Sequence, residues 1–336
     1  MASKSSDLKI VFGAMTIGQA GLPGCRQTTP KEVKDVLDKF QQHGHREVDT
    51  SRIYAQGTSE TFLGNSSWQE RGLKMQTKIY PSAGKIMGDT ENYTFSPEDL
   101  RRALTASLEA LQCDQVDLWY LHAPDRKTPL EVTLCEVNRL HGEGKFKRLG
   151  LSNFMSWEVA QVCEICDRHG WIRPSVYQGI YNPVHRAIEA ELLPCLRNYG
   201  IALYAFQPLA GGVLTGRYQY DTTSFEAGSR YDPNNKQSAT MNARYWDKTT
   251  FEALNIIQKA AEKHDLSVPE CAFRWLVHHS QLNSSHGDAL IIGASSVVQL
   301  ENNLADIEKD TLPDDVLQAL EEAWQYIQNP VRKYWH

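Results

Sequence analysis

The sequence predicts an α/β fold, a closed (β/α)8 TIM barrel, and two observations carry that prediction. Short β-rich runs alternate with amphipathic helical patterns along the whole chain, which indicates a parallel sheet. Eight such runs can be counted, and eight parallel strands close a barrel. A doubly wound Rossmann sheet is the alternative, but FGAMTIGQAG, at the end of the first run, lacks the GxGxxG spacing of that fold.

The strand candidates are rich in β-branched, aromatic and other apolar residues. In chain order they are Ile10–Ala14, Arg46–Asp49, Lys74–Lys78, Val116–Leu121, Arg148–Ser152, Val176–Gln178, Ala202–Phe206 and Ala289–Ile292. The segments between them, such as PKEVKDVLDKFQQHG and SPEDLRRALTASLEALQ, place apolar residues three and four positions apart, as helices do.

Capping residues support the helix boundaries. Thr29 and Ser96 each stand directly before a proline, the order expected of an N-cap followed by a first-turn proline. Glycines stand where three helices should stop, at Gly44, Gly142 and Gly170. We therefore expect helices to connect the strands.

Two connections are much longer than the rest, Tyr80–Phe95 and Gln207–Lys248. Both would follow strands and so lie on the catalytic face of a barrel, where long loops are usually lids or binding segments. No internal linker interrupts the pattern, so residues 1–336 are predicted to form one barrel domain with a C-terminal tail.

Composition excludes several classes of protein. A net charge of −6 gives no basic surface for nucleic acid, and no apolar run is long enough to span a membrane. The seven cysteines favour reduced thiols, and with the N-terminal sequence they predict a cytoplasmic protein. Cys163 and Cys166 form a CxxC, but they lie in a helical pattern without a second ligand pair, so no metal site is expected.

Titratable residues close three successive strands of the predicted barrel. Asp49 closes the second strand, with Tyr54 a short loop beyond, while Lys78 closes the third and His122 follows the fourth. Each alone is weak evidence, since such a lysine, aspartate, tyrosine or histidine usually serves packing or a structural ion pair. Because barrel enzymes place their chemistry at the carboxyl ends of strands, the four are expected to converge.

These residue types suit the reduction of a carbonyl group. The reaction needs a proton donor, and a phenol can serve if a neighbouring cation lowers its pKa from about 10 towards neutrality. Lys78 would supply that cation, and Asp49 would hold the lysine by a charge-assisted hydrogen bond. His122 would donate a hydrogen bond to the carbonyl oxygen.

Motifs over nearly the whole chain resemble those of the aldo-keto reductases. They include EVDTSRIYAQGTSE, TKIYP, VDLWYLHAPD, LGLSNF, VYQGIYNP, QPLAGGVLTGRY and IIGASSVVQLENNL. With NARYW and HHSQLNSSHGDALIIGASS they are most similar to the aflatoxin-aldehyde and succinic-semialdehyde reductase subfamily. The resemblance implies a barrel, with Tyr54 as the general acid of an NADPH-dependent reductase of aldehydes or ketones.

The resemblance also implies a set of cofactor-binding residues. For the nicotinamide end they are Met15, Asp49, Ser152, Asn153, Gln178 and Phe206, the last of which would stack on the ring. For the pyrophosphate they lie in Gln207–Tyr218 and include Gln207, Pro208, Leu209, Gly211, Gly212, Leu214 and Arg217. For the adenosine end they are Gly293, Ser295, Gln299, Asn302 and Asn303, at the start of a helix.

The cofactor assignment leaves two points open. Several members of the family carry an arginine where this chain has Gln299, so NADH stays an alternative to NADPH unless Arg244 contacts the phosphate instead. GGVLTGRY also comes close to a nucleotide-triphosphate loop, but Arg and Tyr replace the required Lys and Ser or Thr. A plain glycine-rich loop is the other interpretation of that segment.

Substrate and assembly are less determined. Arg332 or Lys333 could hold a substrate carboxylate, and Tyr334 and Trp335 could form a pocket wall or an exposed tail. A tailoring reductase of a secondary metabolite is one alternative to a general aldehyde reductase. A cofactor-binding regulatory subunit, like the potassium-channel β-subunits, is another, and the family resemblance implies a possible homodimer.

Overall fold

Eight parallel strands close into a barrel, in the order β1-β2-β3-β4-β5-β6-β7-β8 with β8 paired to β1. The computed structural model describes residues 8–83, 92–235, 237–327 and 332–336. The strands are β1 Lys9–Gly13, β2 Glu47–Asp49, β3 Lys74–Ile79, β4 Val116–Leu121, β5 Phe146–Ser152, β6 Pro174–Ile180, β7 Ala202–Phe206 and β8 Ala289–Ile292. The predicted (β/α)8 fold is confirmed, and three strands have the predicted bounds.

The largest difference between prediction and structure is in β6, which is longer at both ends than the predicted Val176–Gln178. Pro174 occupies the first strand position, where the missing N–H of proline is tolerated. Gly179 lies inside the strand at a position that has no room for a side chain, since a Cβ there would stand 2.9 Å from the Tyr177 ring. Both residues look like strand breakers in the sequence, and local packing overrides that signal.

The described helices form the outer layer and the connections. They are α1 Pro30–Gln42, α2 Thr58–Gly64, α3 Pro97–Leu111, α4 Leu130–Gly142, α5 Ser156–His169, α6 Leu192–Tyr199, α7 Ser238–Tyr245, α8 Lys248–Glu262, α9 Val268–Arg274, α10 Val297–Ile307 and α11 Asp314–Ile327. None is long and apolar enough to cross a membrane.

The predicted caps are largely present. Thr29 forms a capping box with Glu32, and the Ser96 side chain accepts a hydrogen bond from the backbone N–H of Asp99. Gly170 ends α5 in the left-handed conformation. Gly142 is instead the last residue of α4.

Two buried layers fill the molecule. The larger one lies between the strands and the surrounding helices, and it includes Cys163 and Cys166 on α5 as buried free thiols. The smaller one fills the barrel interior with Val11, Leu118, Tyr120, Val176, Ala202, Tyr204, Ala289 and Ile291. Gly150 leaves room for the Tyr120 ring, since a Cβ at Gly150 would stand 2.2 Å from that ring.

The connection Gln207–Lys248 has its own structure. A 3-10 segment, Ala210–Thr215, opens it, and α7 lies near its end. The aromatic side chains of this connection form a cluster of Tyr218, Phe225, Tyr231 and Trp246, and Phe251 on α8 packs against Trp246. This segment therefore folds over the carboxyl end of the barrel as an ordered cover. The middle of the other long connection, residues 84–91, lies outside the described residues.

Candidate active site

A buried ion pair joins the ends of β2 and β3. The Lys78 Nζ donates to Asp49 Oδ2 at 2.6 Å and to the backbone oxygen of Thr50 at 2.6 Å. Gln178, on β6, donates from Nε2 to the other carboxylate oxygen of Asp49 at 2.8 Å. The Lys78 side chain is 0% exposed and that of Asp49 is 3% exposed, so solvent does not screen the pair.

Tyr54 lies over this pair in a tight turn after β2. Its backbone N–H donates to the Ser51 oxygen at 3.0 Å, and the Lys78 Nζ lies 4.9 Å from the centre of its ring. Ala55 and Gln56, the next two residues, both have positive φ, +48° and +55°. Such backbone costs roughly 1 kcal/mol or more per non-glycine residue and is often found at functional sites.

His122 follows β4 directly and faces the same space. Its ring meets the Tyr54 ring edge-on, with centroids 5.9 Å apart, and Tyr80 contacts it in the same way at 5.4 Å. The Nδ1 atom lies 3.1 Å from the Ser51 Oγ. The structure thus brings Asp49, Tyr54, Lys78 and His122 together, as the strand ends predict.

Burial sets the protonation states of the four groups. It opposes the charged form of Lys78, but Asp49 and Tyr54 outweigh that effect and raise the lysine pKa. Burial raises the pKa of Asp49, a rise that Lys78 and Gln178 oppose. It also lowers the pKa of His122 well below its usual value, with Lys78 adding to the effect. At neutral pH the lysine is charged and the histidine is neutral.

The Tyr54 phenol differs from the expectation drawn from the sequence. Burial raises its pKa, and the nearby Lys78 ammonium opposes that rise without cancelling it. The lysine was expected to bring the phenol towards neutrality, but the sequence does not reveal how little water reaches the hydroxyl. The phenol therefore keeps its proton at neutral pH, which suits a proton donor.

The residues predicted for the nicotinamide end surround the tetrad. Ser152 ends β5, and Asn153 beyond it has a φ of +61° and donates from Nδ2 to the His122 backbone oxygen at 2.8 Å. Phe206 ends β7 half-buried, and Met15 lies in the short turn after β1. Gln178 sits deeper, where its amide is already bonded to Asp49. These residues border one space at the carboxyl end of the barrel.

The segment predicted for the pyrophosphate turns sharply after β7. Gly211 and Gly212 have φ of +68° and +111°. A Cβ at Gly211 would stand 2.9 Å from Met241 Sδ, whereas a Cβ at Gly212 would meet only the Tyr231 ring, at 4.0 Å. The backbone at Gly212 is thus open to a close approach by a ligand. Arg217 is exposed beyond the turn.

Pro208, Leu209 and Leu214 belong to the same turn. Leu209 and Leu214 pack into the core, and the Leu209 carbonyl accepts hydrogen bonds from the N–H groups of Gly212 and Leu214. Gln207, which has a φ of +57°, accepts from the Tyr245 hydroxyl at 2.8 Å. These contacts hold the turn between β7 and α7.

The residues predicted for the adenosine end lie at the start of α10. Ser296 caps this helix through the N–H of Gln299, and Gln299 Oε1 in turn accepts from Ser295 N at 2.6 Å. Gly293 precedes the cap, Asn302 is exposed and Asn303 is buried. Arg244 lies on α7, and its Nη1 is 3.5 Å from Gln207 Oε1. Because Gln207 opens the segment predicted for the pyrophosphate, Arg244 lies beside that segment.

Arg230 is the main feature that sequence reasoning missed. It is half-buried in the aromatic cover, close enough to Tyr54 for their charges to interact. Within the described residues no carboxylate forms an ion pair with it. Nothing in the sequence around it signals this role, because the path of the long connection brings it to the site.

The C-terminal tail also reaches the site. The His336 N–H donates to the Asn153 backbone oxygen at 3.2 Å, and its imidazole contributes to lowering the His122 pKa. Tyr334 is buried, accepting from Ser156 N at 3.1 Å. The Nη2 of Arg332 is bonded to Asp247 and Thr250, whereas its Nη1 is buried without a partner among the described residues. Lys333 is exposed against the Trp335 ring.

Comparison with known proteins identifies relatives of this arrangement. The model of the Aldo/keto reductase family matches residues 9–325. Aldo-keto reductase pigE of Monascus ruber is 44% identical over 99% of both chains. Aldo-keto reductase family 7 member A3 of Homo sapiens is 42% identical over 96% of both chains. The human Aflatoxin B1 aldehyde reductase member 2 is 42% identical, over 96% of this chain and 88% of its own.

Proposed function

The chain belongs to the aldo-keto reductase family, and from that premise we propose that it reduces aldehydes to alcohols with NADPH, using Tyr54 as the general acid. Membership makes it an oxidoreductase that uses a nicotinamide cofactor and acts on aldehydes or ketones. The role of Tyr54 in the proposal rests on one observation, a phenol held over a buried lysine–aspartate pair.

The hydrogen bonds within the Lys78–Asp49 pair leave the proton of the Tyr54 phenol free for a substrate. Two donors of the Lys78 ammonium go to Asp49 and to the Thr50 oxygen, and the lysine also acts on the Tyr54 hydroxyl. As negative charge develops on a carbonyl oxygen, the phenol donates its proton to that oxygen. Lys78 then stabilises the phenolate that remains, because it lies in a region that excludes water.

His122 has a separate task in this proposal. Its imidazole is neutral and stands edge-on to Tyr54, so both side chains border the same space. A neutral imidazole with a proton on Nε2 can donate a hydrogen bond to the substrate oxygen without competing as an acid. The histidine orients the carbonyl group, and the tyrosine protonates it.

Several features of the carboxyl face fit a dinucleotide. Gly212 offers an open backbone, α10 presents the N-terminus of an eleven-residue helix, and Arg217 and Arg244 supply positive charge along the groove between them. The reduced nicotinamide supplies a hydride when it is bound. Phe206 and Asn153 would hold its ring, while Gln207–Arg217 and the start of α10 would hold its phosphates.

Arg230 supports a preference among aldehydes. A half-buried guanidinium without a carboxylate partner in the described chain attracts an anionic group, and here it lies within electrostatic reach of Tyr54. Aldehydes that carry a carboxylate a few bonds from the carbonyl group would satisfy this charge. We therefore include short semialdehydes among the proposed substrates.

The experiment follows the loss of the nicotinamide absorbance with NADPH or NADH, using succinic semialdehyde and 4-nitrobenzaldehyde as substrates. We expect turnover with NADPH, formation of the alcohol, and a lower kcat/KM with NADH. A protein that binds NADPH but reduces neither aldehyde would contradict the proposed activity. Equal use of both cofactors would contradict only the NADPH preference, because Gln299 stands at the predicted phosphate position.

A further inference from the structure

The two nitrogens of the His122 ring have different surroundings. Nδ1 lies 3.1 Å from the hydroxyl of Ser51, whose side chain is completely buried. Among the described residues, no protein group is bonded to Nε2. The histidine is therefore held by the protein on one nitrogen and leaves the other for a ligand.

A neutral imidazole carries a single N–H, so the hydrogen bond at Nδ1 decides which nitrogen has it. If Nδ1 donates to Ser51, Nε2 has no proton and can only accept. If the Ser51 hydroxyl donates to Nδ1, the proton is on Nε2, and the histidine can donate to a carbonyl oxygen. The choice depends on where the single hydroxyl proton of Ser51 points.

The surroundings of Ser51 favour the second arrangement. Among the described residues, the only other partner of the Ser51 hydroxyl is the Lys78 backbone oxygen, at the longer distance of 3.3 Å. That oxygen already accepts from the Arg52 N–H at 3.1 Å. The Ser51 proton can thus turn to His122 without leaving a buried carbonyl group unsatisfied.

We propose that Ser51 is a positioning residue, which donates its hydroxyl proton to His122 Nδ1 and so keeps His122 in the Nε2–H form that binds the substrate oxygen. The proposal rests on the function proposed above, in which His122 orients the carbonyl group. Ser51 itself touches no reacting atom. It acts by disfavouring the Nδ1–H tautomer, in which the unprotonated Nε2 of His122 would repel the substrate oxygen.

The first test is spectroscopic and needs no substrate. In protein labelled with 15N-histidine, ring-nitrogen shifts report the tautomer, and His122→Gln identifies the His122 signals. We expect a protonated Nε2 and an unprotonated Nδ1 in the wild type and in Ser51→Thr, and a mixed or reversed pattern in Ser51→Ala. The control is Ser59→Ala, which removes another buried hydroxyl bonded to Thr50 and Ala14 but leaves the pattern unchanged. A wild-type pattern in Ser51→Ala overturns the proposal.

The second test uses kinetics to separate this proposal from the function beneath it. Ser51→Ala should lower kcat/KM for aldehydes roughly ten-fold, the loss expected for one hydrogen bond, with NADPH affinity unchanged. In a His122→Gln background the same change should have no further effect. If His122→Gln alone retains wild-type kinetics, the histidine role fails. If His122→Gln is impaired while Ser51→Ala turns over normally, only the Ser51 proposal fails.

Discussion

The barrel interior holds the same three residue types, a lysine, a carboxylate and a tyrosine, at both of its ends. At the carboxyl end, the upper cluster consists of Lys78, Asp49 and Tyr54. Its lysine side chain is 0% exposed and bonded to the carboxylate at 2.6 Å. The upper cluster is thus an ion pair buried from solvent, with a phenol above it.

At the amino end, the lower cluster consists of Lys9, Glu47 and Tyr204. The lysine is 39% exposed and lies 3.3 Å from the carboxylate, and it donates to the tyrosine oxygen at 3.1 Å. Arg148 adds a second cation, paired with Asp117 at 2.5 Å. The lower cluster is therefore a network whose lysine reaches solvent and in which charges of both signs are shared among several partners.

The difference between the clusters lies in the phenol proton. The Tyr204 hydroxyl donates to Glu47 at 3.3 Å, so its proton is held by a carboxylate. The Asp49 carboxylate is instead occupied by Lys78 and Gln178, which leaves the Tyr54 proton for a ligand. Residue types alone do not make a proton donor, because burial and the neighbours of the hydroxyl decide what the proton can do.

Replacing the two lysines gives the largest expected contrast. Lys78→Met leaves Asp49 buried without its cation, which should lower the free energy of unfolding by about 3–5 kcal/mol and reduce kcat/KM by roughly a thousandfold. Lys9→Met removes a partly exposed charge and should cost about 1 kcal/mol or less, with turnover within about twofold of the wild type. Urea unfolding and steady-state kinetics measure both; equal losses of activity in the two variants would contradict the distinction.

Acid should destabilise the carboxyl end of the barrel, because a buried histidine there resists protonation in the folded state. Burial lowers the pKa of His185, in the connection after β6, to about 3, while the unfolded value is about 6.5. Below that unfolded value only the unfolded chain takes up the proton, so stability is present above about pH 6.5 and is lost as the pH falls towards the folded pKa. The free energy of unfolding should then fall by up to about 1.4 kcal/mol per pH unit for this histidine.

Denaturant unfolding at about pH 7.5 and about pH 5 measures this slope. His185→Phe should make the dependence shallower, whereas replacing the exposed His286 with Gln should leave it unchanged. If the slope of His185→Phe equals that of the wild type, the histidine is not the cause of the acid sensitivity.

Replacing Arg230 should give the smallest effect of the series, and it tests which aldehydes the carboxyl end of the barrel prefers. Arg230→Met should raise the KM for succinic semialdehyde about ten-fold and change that for 4-nitrobenzaldehyde little, since one charge-assisted contact is lost. Arg217→Met, further along the groove, serves as the matched control and should affect the cofactor rather than the aldehyde. A parallel loss with both aldehydes in Arg230→Met would assign the arginine to folding of the cover.

Much of the upper cluster could be predicted from the sequence, because Asp49 ends β2 and Lys78 lies one residue before the end of β3. Asp49, Lys78 and His122 stand at the ends of runs whose composition marks them as strands, and parallel strands bring their carboxyl ends together. The Ser51–His122 contact and the place of Arg230 were not predictable in this way. They depend on the paths of loops, which no period in the sequence encodes.

The lower cluster shows the same limit more clearly. Lys9 and Glu47 lie on the paired strands β1 and β2, whereas Tyr204 on β7 reaches them only because β8 closes on β1. The rise in the Tyr54 pKa is another property of the folded site. It depends on how the cover and turn exclude water, and the residue types suggested a change in the opposite direction.

The paired variants Tyr54→Phe and Tyr204→Phe test the central claim most directly, since each removes one hydroxyl and keeps the ring. Tyr54→Phe should bind NADPH as the wild type does but lose at least about a hundredfold in kcat, with little change in stability. Tyr204→Phe should keep its kcat and lose about 1–2 kcal/mol in the free energy of unfolding, because Glu47 loses a buried donor. If Tyr54→Phe retains wild-type kcat, Tyr54 is not the general acid, and the proposed mechanism is wrong.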